Sequence, residues 1–69
     1  MKKSALIALY DRTLKNCLFY EKEGNTAALL NEIGCLRGIA YCMEYAMIYK
    51  HNTDSQFIRL IEIQQTLKE

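Results

Sequence analysis

Apolar positions recur along this chain at helical spacing in three stretches, and the middle stretch carries them on two faces. In the first stretch Ile7, Tyr10, Leu14, Cys17 and Leu18 form one stripe, as in an ordinary amphipathic helix. In the last, Phe57, Leu60, Ile61 and Leu67, with Ile63 close by, oppose Arg59, Glu62, Gln65 and Lys68. The middle stretch reads TAALLNEIGCLRGIAYCMEYAMIYK from Thr26 to Lys50. Wound at 100° per residue, it puts Leu29, Ile33, Leu36, Ala40, Met43 and Met47 on one side. Gly34, Gly38, Cys42 and Ala46 lie on another, with Tyr41, Tyr45 and Tyr49 beside them. One face fits a core. The other needs a different explanation.

Breaks between the stretches are read from Gly, Asn, Asp and Thr, since the chain has no proline. Gly24 suits a left-handed helix end and Asn25 an N-cap. Thr53 with Gln56 matches a capping box, with Asp54 as the competing cap. The pattern therefore predicts an all-α fold with helices over about 4–23, 26–50 and 54–67, in one domain spanning 1–69. The long central helix is expected to continue through Gly34 and Gly38, because its apolar phase does not change across them. Alternation typical of strands is absent.

At 69 residues, a single core stabilises by only about 3–5 kcal/mol without a disulfide, a metal or oligomerisation. Cys17, Cys35 and Cys42 are odd in number, and Cys35 and Cys42 sit about 10 Å apart along one helix, too far to bond to each other. They read as small buried hydrophobes. His51 is the single histidine and has no metal-ligand neighbour; past the end of a helix it would answer the exposed carbonyls. That leaves self-association, most simply as a homodimer.

The surplus face supplies the candidate interface: Gly34, Arg37, Gly38, Tyr41, Cys42, Glu44, Tyr45, Ala46 and Tyr49. Small residues at every fourth position admit a second helix closely, either from this chain or from another copy. Contact should be tightest at Gly38, so Gly38→Leu is expected to destabilise. Tyrosine joins an apolar ring to a polar tip, as interfaces favour, and the three rings are expected to pack with their hydroxyls near the boundary. Arg37 and Glu44 are either a solvated strip or pair across a two-fold axis near Tyr41.

Chemistry changes the picture little. Nine basic and eight acidic side chains leave a net charge of +1, with no basic stripe for phosphate contacts. The start, MKKSALIALYDR, carries an apolar run of only six residues before Asp11, too short for a signal peptide. Glu32, Arg37 and Glu44 would burden a membrane span. No nucleophile pair, carboxylate pair or phosphate loop stands out, so neither an enzyme nor a cofactor is expected. The reading is a cytoplasmic protein–protein interaction module, an adaptor or an inhibitor of a larger protein, that self-associates through its central helix. Its rivals are a DNA-binding regulator using Ser55, Gln56 and Arg59 on the third helix, and a purely structural self-assembling protein.

Overall fold

The three stretches are helices in the computed structural model, which describes residues 2–68: α1 (Lys3–Glu23), α2 (Thr26–Tyr45) and α3 (Ser55–Lys68). A short 3-10 turn, Lys50–Thr53, precedes α3, and no strand occurs among the described residues. α2 runs without a break through Gly34 and Gly38.

Helices α1 and α2 form a hairpin, closed where the sequence places its first break. Gly24 takes φ 72°, and its N–H and that of Asn25 return to the carbonyls of Glu21 and Tyr20. Asn25 then accepts from the Ala28 N–H at 3.2 Å, capping α2. Asp54, rather than Thr53, caps α3: its Oδ1 accepts from the N–H groups of Gln56 (3.0 Å) and Phe57 (3.4 Å).

The far end of α2 departs from expectation. The helix stops at Tyr45, not Lys50. Met47 adopts φ 61°, while the Met47 N–H bonds to Glu44 O and the Ile48 N–H to Met43 O. This is the hydrogen-bond pattern of a Schellman stop, normally built on glycine. A β-carbon in that conformation costs about 1–2 kcal/mol, which Ile48 helps offset by packing against the core. Met47 consequently leaves the core face and is 76% exposed.

Leu6, Tyr10 and Cys17 of α1 close onto Leu29, Ile33, Leu36 and Met43 of α2, with Leu60 from α3. The predicted core face of α2 is thus buried along Leu29, Ile33, Leu36, Ala40 and Met43. On α1 the buried edge also takes in Leu6 and Thr13, whose hydroxyl bonds back to Leu9 O at 2.8 Å. Burial, more than the nearby carboxylates Glu32 and Glu21, pushes the Cys17 thiol up to about 11. Cys35 and Cys42 are not buried; both thiols face outward from α2.

Polar ties hold α3 to the hairpin. Tyr10, fully buried, donates its phenol to Asp54 Oδ2 at 2.6 Å. Arg59 grips Glu21 with both terminal guanidinium nitrogens, Nη2 at 2.9 Å from Oε1 and Nη1 on Oε2. Arg37 Nη1 donates to Gln64 Oε1 at 3.0 Å, which explains how Gln64 is buried. No helix among the described residues is long and apolar enough to cross a membrane.

Candidate functional site: the outer face of α2

With its core face against α1, α2 turns Gly34, Cys35, Gly38, Tyr41, Cys42 and Tyr45 to solvent. At 100° per residue these six fall within about 60° of Gly38. None is charged. The exposed surface of α1, by contrast, carries Lys3, Arg12, Lys15 and Lys22, although the ring of Phe19 is exposed among them. Tyr45 is 94% exposed and Tyr41 56%. Two tyrosine rings are thus exposed on this stretch of helix.

No helix of the chain crosses the small-residue ladder. A β-carbon at Gly38 would meet nothing within 4 Å, and one at Gly34 only the Gln64 amide nitrogen at 4.0 Å. The tight contact expected at Gly38 is therefore not made within the chain. Ala46, expected as the ladder's last rung, instead turns half-buried against the core. Tyr49 lies beyond the helix end, so the tyrosine repeat at i, i+4 and i+8 is not one helical stripe. Tyr45 does not pack its ring as expected.

Arg37 and Glu44 are not simply solvated. Together with Ala40, Tyr41, His51, Asn52, Phe57 and Ile61 they line a cleft of about 210 Å³ between α2 and α3. Glu44 Oε1 accepts from His51 Nε2 at 2.9 Å. His51 does not sit at the helix end answering carbonyls. Only 3% of it is exposed, and it lies edge-on to Phe57 with ring centroids 5.3 Å apart. Its Nδ1 has no hydrogen-bond partner among the described residues, a lone pair or proton held dry at a cost of about 1–3 kcal/mol. The connector that ends α2 early is what folds His51 back; sequence periodicity carried no sign of it. Tyr41 belongs to both the cleft and the outer face, and Glu44 lies on the border between them, so the two are one continuous surface.

Among the described residues, no group of three or more His, Cys, Asp or Glu side chains is placed to hold a metal ion. Arg59, the base-reading candidate on α3, is held by Glu21 and Gln56. Comparison with protein-family models, with curated proteins and with solved structures finds no match to this chain.

Proposed function

We propose that this protein is a small helical interaction module whose docking surface is the outer face of α2 with the adjoining cleft. The observation that carries the reading is the contrast on one helix: no charge from Gly34 to Tyr45 on the outer face, and Tyr45 almost wholly bare. Transferring such rings from water stabilises a complex by roughly 25 cal/mol per Å² of apolar surface covered. Glycines beneath them allow a partner's backbone to come close. Such a module serves as an adaptor or as an inhibitor that covers a surface on a larger protein. Exposed thiols at Cys35 and Cys42 suit a compartment where cysteines stay reduced, such as the cytoplasm.

The test compares tagged wild-type protein with Tyr45→Lys as baits in extract of the native host. Tyr45 makes so little contact within the chain that the variant should fold normally, as circular dichroism checks. Proteins retained by the wild type and lost with Tyr45→Lys support the reading. Equal recovery by both baits sinks it.

A further inference from the structure

We infer that the occupant of this face is a second copy of the chain, packed antiparallel in one register, with the two-fold axis passing between Ala40 and Tyr41. The inference rests on the reading of α2 as a docking surface, and adds the partner and its geometry. Two unrelated features choose the same axis. Arg37 and Glu44 lie equally far on either side of that midpoint, on the same flank of α2. In an antiparallel pair related by a two-fold axis, like flanks lie side by side. Each Arg37 then stands opposite the other chain's Glu44, and each Glu44 opposite the other chain's Arg37. Arg37 uses one N–H on Gln64, and Glu44 one oxygen on His51, so both retain bonding capacity toward the partner.

The second feature is shape. Tyr45 is the most exposed of the large apolar side chains and stands up from the face like a peg. The gap between Gly34 and Gly38, exposed and edged by the Gln64 amide beside Gly34, is centred at the level of Leu36. Tyr45 and Leu36 are also equidistant from the midpoint between Ala40 and Tyr41. The axis that pairs the charges therefore seats each Tyr45 ring in the other chain's glycine gap. A parallel pair would put the Arg37–Glu44 flanks on opposite sides of the seam and set peg against peg. The contact is one helix wide, so a weak dimer is expected.

Native cysteines report the register. With the axes about 8 Å apart and a rise of about 1.5 Å per residue, the two Cys42 Cα atoms fall roughly 7 Å apart. The two Cys35 Cα atoms are separated by about 18 Å on the same geometry. The experiment treats wild type, Cys35→Ser, Cys42→Ser and Gly38→Leu with a short bismaleimide at a concentration where sedimentation reports dimer. Cross-linked dimer is expected from wild type and Cys35→Ser and is lost in Cys42→Ser. Gly38→Leu, whose β-carbon meets nothing within 4 Å in its own chain, should keep its helical spectrum and lose the cross-link. Cross-linking through Cys35 alone, or equally through both cysteines, overturns the register. A monomer by sedimentation up to about 1 mM overturns the second copy as occupant, while leaving the Tyr45-dependent recovery of another protein to stand or fall separately.

Discussion

Tyr10 and Asp54 are joined by a 2.6 Å hydrogen bond across 44 residues of sequence, and Asp54 uses its other carboxylate oxygen to cap α3. One aspartate thus fixes both where α3 starts and where it docks. Burial first, and then the bond to Asp54, hold the Tyr10 phenol far above its ordinary pKa, so it remains a donor at any pH the fold survives. Tyr10→Phe should cost about 1–2 kcal/mol, a hydrogen bond to a charged group moderated by the partial exposure of Asp54. Asp54→Ala should cost more, about 2–4 kcal/mol, because it removes the cap and strands a buried hydroxyl. The double variant should be little worse than Asp54→Ala alone. Additive losses in urea melts would show that the two residues act independently.

Gly38→Ala tests the fold apart from any partner. Nothing lies within 4 Å of the added carbon, and alanine is the better helix former by about 1 kcal/mol. In dilute solution the melting temperature should rise, by about 4–8 °C for each kcal/mol gained in a domain of this size. A fall would mean that the glycine is needed within the chain itself. The close contact from which Gly38→Leu was expected to destabilise is not made within the chain at the β-carbon, so that expected loss passes to the proposed assembly.

Met47→Gly should stabilise. The methionine occupies a left-handed conformation that costs about 1–2 kcal/mol, and its exposed side chain contributes little packing. Glycine's greater freedom in the unfolded chain takes back part of the gain, leaving an increase of up to about 1 kcal/mol in denaturant unfolding. Loss of stability would place the Met47 side chain in a contact worth more than the backbone strain.

The acid limb of the stability curve should depend on Glu21. Its hydrogen bonds with Arg59, reinforced by the nearby positive charge and opposed by burial, lower its pKa. The unfolded chain therefore binds this proton at higher pH than the folded one. The contribution is complete above about pH 5 and is lost as pH falls through the lowered value. Both side chains are partly exposed, so the amount is about 1 kcal/mol or less. Glu21→Gln should flatten that part of the curve while leaving its neutral-to-basic part parallel to wild type. An unchanged acid slope would remove the pair from the account.

Thiol chemistry should divide the three cysteines. Cys17 is fully buried and its thiol pushed up to about 11, so it should resist alkylation at pH 8 until the protein unfolds. In dilute solution Cys35 and Cys42, both exposed, should react promptly. Mass spectrometry counting three rapid additions to folded protein would contradict the packing described for α1.

Most of the fold was legible because it rests on period and punctuation. Leu29, Ile33, Leu36, Ala40 and Met43 announce a buried face, and Gly24 with Asn25 announces a turn whose conformation those residue types favour. The end of α2 was not legible, because its left-handed position holds methionine, a residue that gives no stop signal. Everything downstream of that end was hidden with it: the burial of His51, its bond to Glu44, and the cleft they share. Gln64 was unreadable for another reason. A buried glutamine is tolerated here only because Arg37 satisfies it, and that pairing exists in space rather than in the order of residues. The outer face of α2 could be seen as surplus, but whether α3 covered it depended on a docking angle that no local pattern encodes.

Among the apolar residues of α3 only Leu60 is fully buried, and much of the helix's attachment runs through Tyr10–Asp54, Glu21–Arg59 and Arg37–Gln64. Such an element opens at lower free energy than a hairpin zipped by side-chain packing. Backbone amides of α3 should thus trade their hydrogens for deuterium well before those in the middle of α1 and α2. That excursion dismantles the cleft, since Phe57 and Ile61 leave with the helix. It leaves the glycines, Tyr41 and Tyr45 where they were, on a rod still braced by α1, so the surface proposed for docking outlasts the partial melting of the molecule that carries it.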